Sequence, residues 1–124
     1  MKTKGSTVLS IKGGAKTKRP EISLSGKWLE EIGFTHDTIV LIEKCDTGFI
    51  MLKACGKGME VYNRLVKDVR MLEMKLTQVY ISRTSKRIRF GGHWLERWGF
   101  YIGNIIAIGY EKNLIYIKQI EPNF

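Results

Sequence analysis

Apolar and polar residues alternate with period two through short runs over most of this chain, and the runs come in the same order twice. In the first half, TVLSI (7–11) and EISL (21–24) read as strands on either side of a Gly/Lys-rich loop. Ser25 and Gly26 stand where a short helix over 27–32 would be capped, and Gly33 where it would end in a left-handed residue. The apolar runs 38–43 and 49–53, joined by a turn containing Asp46-Thr47-Gly48, predict a hairpin. The second half predicts strands at 79–82 and 87–90, and a helix at 93–98 followed by Gly99. Strands at 104–108 and 114–118 then flank Glu111-Lys112-Asn113. On this reading the second basic loop is five residues shorter than the first, and the second hairpin turn is one shorter by the offset between copies, which drops from 66 before it to 65 after it. An internal duplication tolerates such loop differences.

The duplication is explicit at its centre. Residues 26–34 read GKWLEEIGF and residues 92–100 read GHWLERWGF, an offset of 66 with six identities in nine. Two copies are too few for a solenoid. They predict a symmetric dimer rebuilt inside one polypeptide, mainly β with short helices and so a β-rich α+β class. Repeat 1 would occupy 1–56 and repeat 2 would occupy 78–124, with 57–77 connecting them in one globular unit. In the connector, Tyr62, Leu65, Val69, Leu72 and Leu76 are spaced 3-4-3-4 with charged residues between them. This predicts an amphipathic helix about 30 Å long, at about 1.5 Å per residue. Its stripe would pack on the sheet; self-association of two chains is its other use.

Composition narrows the class. At 124 residues with 44% hydrophobic content, the chain can build one core without staples. No run reaches the ~18 apolar residues of a membrane span, and MKTKGSTVLSIKGG lacks the apolar segment of a secretion signal. Cys45 and Cys55 are too few for a disulfide framework or a metal site. No cofactor motif is present, since Gly56-Lys57-Gly58 lacks the rest of a phosphate loop. A cytoplasmic protein is expected, nucleoid-associated if DNA is its target.

The net charge of +9 is segregated: +6 over 1–19, −3 over 20–53, +2 over 54–77 and +4 over 78–124. The excess concentrates in KGGAKTKR (12–19) and RTSKRIR (83–89). Clustered basic charge of this kind is a footprint for nucleic acid or another anionic surface.

The stretch ISLSGKWLEEIGFTHDTIVLIEKCDTGFIMLK (22–53) resembles the SymE-type toxin family. That family carries a similar I-x-L-x-G-x-W-L-E-x-x-G-F segment ahead of a hairpin, with Gly26, Trp28, Leu29, Glu30, Gly33 and Phe34 in register. The match is close over about a quarter of the chain, and 88–118 follows it more loosely. The resemblance implies an AbrB-like swapped-hairpin barrel, here an intramolecular pseudo-dimer of two β-β-α-β-β repeats. It also implies a bacterial toxin of a toxin–antitoxin system that acts on nucleic acid, DNA or RNA. Members of that family carry one motif and would dimerise, whereas this chain carries two.

Three functions stay open on these grounds: a toxin that occupies nucleic acid, an RNA-cleaving endoribonuclease toxin, and an AbrB-like DNA-binding regulator or antitoxin. The binding candidates are Lys12, Lys16, Lys18 and Arg19 in the first copy, with Arg83, Lys86, Arg87 and Arg89 in corresponding places in the second. Lysine and arginine there would contact phosphates. RNA cleavage needs a base and an acid. His93 and Glu96, three residues apart on one helix face, are the only candidate pair, with Arg89 and Arg97 close in sequence. Trp28 and Trp94 are core residues or, alternatively, platforms for an unpaired base.

Overall fold

A computed structural model describes residues 5–14, 18–45, 48–71, 74–82 and 85–120. The chain is mainly β, of the α+β class, with three helices among the described residues. The first copy supplies β1 (Gly5–Ser10), β2 (Lys12–Gly13), β3 (Pro20–Ser25), α1 (Lys27–Glu31), β4 (Ile39–Lys44) and β5 (Ile50–Ala54). Helix α2 (Met59–Met71) follows. The second copy supplies β6 (Met74–Gln78), β7 (Tyr80–Ser82), β8 (Ser85–Gly91), α3 (His93–Arg97), β9 (Ile105–Glu111) and β10 (Leu114–Gln119).

Each of the two sheets draws equally on the two copies. The six-stranded sheet runs β1-β9-β10-β5-β4-β6 and the four-stranded sheet β2-β3-β8-β7. The first strand of each copy lies on the hairpin of the other: β1 pairs with β9, and β6 with β4, all antiparallel. Where the copies meet, equivalent residues face each other. Ser23 pairs with Arg89, its counterpart at offset 66, and Met51 pairs with Tyr116, its counterpart at offset 65.

The crossing from one sheet to the other is also duplicated. Ile11 donates to Asn104 O (2.9 Å) and accepts from Gly103 N (2.9 Å). Val79 donates to Thr38 O (2.9 Å) and accepts from Asp37 N (2.9 Å). Both residues are buried, so the chain changes sheets with its polar backbone satisfied by the opposite copy.

Every residue of the core cluster has a partner in the other copy. At offset 66, Ile22, Leu24, Leu29, Ile32, Phe34, Val40 and Ile42 answer to Ile88, Phe90, Leu95, Trp98, Phe100, Ile106 and Ile108. Ile50 and Leu52 answer to Ile115 and Ile117, and Ile11 to Val79. These residues fill the space between the two sheets.

The shared nine-residue motif is a helix with its stop built in. Gly33 (φ 105°) and Gly99 (φ 91°) take the left-handed C′ position. Phe34 N then bonds Leu29 O (2.8 Å) and Gly33 N bonds Glu30 O (3.1 Å). In the second copy Phe100 N bonds Leu95 O (2.8 Å) and Gly99 N bonds Glu96 O (2.9 Å), the same Schellman closure. It turns Leu and Phe of each copy into the core together.

Several expectations require correction. The amphipathic helix expected over 58–77 ends at Met71, and Met74–Gln78 is a strand. Leu76 satisfied the helical spacing, but Met74-Lys75-Leu76-Thr77 also alternates, and the open edge of β4 decides between the two periods. The counterpart of strand 7–11 is therefore β6 with Val79, not 79–82. Ser25 is not the helix cap: Gly26 holds that position without a side-chain bond, and Ser25 instead offers its carbonyl to Trp28 Nε1 (3.0 Å). The turn residues Asp46 and Thr47 lie outside the described residues.

Helix α2 packs on β4 and β6 through Leu65, which is buried, whereas Tyr62 is exposed and Leu72 lies outside the described residues. It covers the outward side of Ile39 and Leu41. Their counterparts on β9 are Ile105, which is 49% exposed, and Ala107.

If each copy needs the other to complete its sheets, residues 1–56 alone should sediment as unfolded or self-associated material; a folded, dispersed monomer would contradict the interlock. Gly33→Ala and Gly99→Ala should each cost about 1 kcal/mol for the left-handed backbone. In chemical denaturation Gly33→Ala should cost more, because its Cβ would collide with the Asn113 side chain while nothing lies within 4 Å at Gly99.

Candidate nucleic-acid interface

Strand alternation sets the outer face of the four-stranded sheet. Ile22, Leu24, Ile88 and Phe90 point inward, so Glu21, Ser23, Arg87 and Arg89 point outward. Lys12 lies opposite Glu21, and Tyr80 opposite Arg87. Arg89 is held between two neighbours: its Nε is 3.8 Å from Glu21 Oε1, and its guanidinium lies 5.9 Å from the Tyr80 ring centroid. Arg87 is half-buried, with its Nε enclosed and without a hydrogen-bond acceptor.

The first basic loop begins and ends on backbone bonds. Gly14 N donates to Arg19 O (2.9 Å) and Lys18 N to Gly14 O (3.2 Å), with Lys18 in the left-handed region (φ 55°). Lys18 and Arg19 are exposed. Lys16 and Arg83 lie outside the described residues. The loop and the β7–β8 turn sit at opposite ends of the sheet. Ser85 stands level with position 27, seven positions beyond Pro20, roughly 24 Å at about 3.4 Å per residue.

Lys86 belongs elsewhere. It shares the inward parity of Ile88 and reaches α1, where its Nζ lies 3.7 Å from Glu30 Oε2 with the side chain only 21% exposed. Strand alternation puts neighbours on opposite faces, so Lys86 does not share the outward face of Arg87 and Arg89.

His93 and Glu96 do meet, with Nδ1 3.0 Å from Oε1. The pair is solvent-facing, at 64% and 39% side-chain exposure. Among the described residues no third group from another element holds the ring, and no group of His, Cys, Asp and Glu could hold a metal. The other histidine, His36, lies 3.4 Å from Asp37. Burial raises the Cys55 thiol pKa, against the lowering effects of a Leu41 backbone hydrogen bond and Lys53. Burial also raises the Tyr116 hydroxyl, helped by Glu111. Tyr116 lies on β10 and Cys55 just beyond the end of β5.

Sequence reasoning missed a cleft of about 730 Å3 between β6 and the β8–α3 unit. Arg19, Arg89, Arg97 and Lys75 line it, over Trp94 and Trp98. Trp94 is half-buried and packs edge-on to Trp98, with centroids 4.8 Å apart. The Lys75 ammonium lies 5.6 Å above the Trp94 ring. In the first copy, Trp28 instead stacks on Tyr110 at 4.3 Å. The available signal was the mismatch within the repeat: LERWGF has Arg97 and Trp98 where LEEIGF has Glu31 and Ile32.

Comparison of the chain with protein-family models, with curated proteins and with solved structures gives no match. No helix among the described residues is long and apolar enough to cross a membrane.

His93→Ala should leave folding and nucleic-acid affinity unchanged, and the wild-type protein should not cleave RNA in a gel assay. Cleavage by wild type that His93→Ala abolishes, with binding intact, would restore the enzyme reading.

Proposed function

We propose that this chain is a nucleic-acid-binding protein of the SymE type. In this reading its two copies form an AbrB-like swapped-hairpin barrel within one polypeptide, and it acts as a bacterial toxin by occupying its target. One observation carries the reading: β3 and β8 pair about equivalent residues, so the chain presents one outward face bearing Lys12, Arg87 and Arg89. The exposed Lys18 and Arg19 lie at one end of it. The roughly 24 Å from Pro20 to the level of Ser85 falls within one turn of duplex, about 34 Å, so the two ends of the face can meet separate stretches of backbone. The swapped-hairpin reading is supported by the exchange of β1 and β6 between hairpins. The toxin role rests on the resemblance of 22–53 to the SymE segment.

Phosphate contacts release counterions, so each basic residue that binds the duplex contributes about 0.9 to the slope of log affinity against log salt. Replacing Lys12, Lys18 and Arg19 together by Gln should lower that slope by up to about 2.7, and by similar amounts on unrelated sequences. Fluorescence anisotropy over a salt series measures it. An unchanged slope would mean that these charges only keep the protein soluble. Induced expression in a bacterial host should arrest growth, and the triple variant should relieve the arrest.

A further inference from the structure

We propose that the cleft between β6 and the β8–α3 unit binds an unpaired nucleotide of a single strand, with its base on Trp94 and its phosphates among Arg19, Arg97 and Lys75. This rests on the nucleic-acid reading above and names the form of the ligand at a cleft that shares Arg19 and Arg89 with the basic face.

The lining has two chemistries in one recess. Half-buried Trp94 supplies flat, polarisable surface, stacked on Phe90 at 6.1 Å and backed edge-on by the buried Trp98, and it already accepts a cation on its face, with Lys75 Nζ 5.6 Å from the ring centroid. Among the described residues, three arginines and that lysine stand around them against one acid, Glu21, which is engaged with Arg89 at 3.8 Å. Among the described residues Arg97 and Lys75 make no ion pair. A ring that stacks and an anion that pairs are the two halves of a nucleotide, and base–aromatic stacking beside a basic groove is how single strands are held without sequence choice. A duplex cannot offer the first half, because both faces of each base are already covered by its neighbours.

The first copy shows that the cleft is not a by-product of the fold. At the same corner, Arg97, Trp98, Arg89 and Arg19 are replaced by Glu31, Ile32, Ser23 and Ser85. There Trp28 is capped by Tyr110 at 4.3 Å. The residues that build the core match between copies, whereas those lining the cleft diverge toward bases and a second indole. An acidic peptide would satisfy the cations but leave the indole face unused.

The test uses the full chain with labelled octathymidylate and octauridylate, a labelled duplex, and poly-glutamate as competitor. Either oligonucleotide should bind and quench tryptophan fluorescence, and a preference between them identifies DNA or RNA as the source. Trp94→Ala should weaken single-strand binding by about tenfold and change duplex binding less than twofold. Should Trp94→Ala fail to fold, Lys75→Gln with Arg97→Gln leaves the aromatics in place and should weaken the single strand at least fivefold. Glu31→Gln, at the equivalent corner of the first copy, should change nothing. The proposal is overturned if neither oligonucleotide binds, if the cleft variants bind like wild type, or if poly-glutamate displaces the strand as well as unlabelled oligonucleotide. An unchanged duplex salt slope with single-strand binding lost on cleft substitution would reject the basic-face reading and keep this one.

Discussion

Neither hairpin in this protein can complete its own sheet. The outer edge of β9 is closed by β1 and that of β4 by β6, each strand coming from the opposite copy. An unpaired strand edge is a row of unsatisfied donors and acceptors and a template for association, so the exchange covers the edges of both hairpins at once and leaves β1 and β6 at the edges of the sheet. The other features follow from that constraint. To reach the other copy's hairpin and return to its own sheet, the chain must cross between layers, and Ile11 and Val79 do so with their backbones bonded to the opposite copy. The crossing brings β3 and β8 together, and with them the outward face of Lys12, Arg87 and Arg89.

Symmetry holds where packing demands it and breaks where solvent begins. A close-packed interior between two sheets tolerates little change of volume, and each core residue keeps an apolar counterpart, even where Trp98 stands for Ile32. Outside, the halves diverge. Helix α2 lies on Ile39 and Leu41, while their counterparts on β9 are the exposed Ile105 and the smaller Ala107. Trp28 is covered by Tyr110, while Trp94 opens onto a basic cleft. A duplicated chain, unlike a homodimer, can change one face without changing the other.

Much of this was legible from residues alone. Gly33 and Gly99 announced left-handed helix stops, the alternation of EISL and RIRF announced the inner strands, and the hairpin runs were found to within one residue except at the end of β9, which runs three residues past 108. What misled was spacing that fits two periods at once. Leu76 extended a helical stripe and equally an alternating strand, and only the vacancy beside β4 selected the strand. Lys86 looked equivalent to its neighbours because a charge cluster in sequence has no faces; a strand gives it two.

The repeat, the helix stops, the β-rich class and the segregation of positive charge were all readable along the chain. These depend on local backbone preference and on the period of apolar residues, which nearest neighbours carry. Tertiary structure alone decided that the first strand of each copy joins the other's hairpin, that Glu30 in one copy meets Lys86 in the other, and that Arg19, Arg97 and Lys75 converge on Trp94. Apart from Arg97 and Trp94, which share α3, those residues are far apart along the chain, and only strand pairing and the burial of a common core, satisfied together across both copies, bring them within reach of one another.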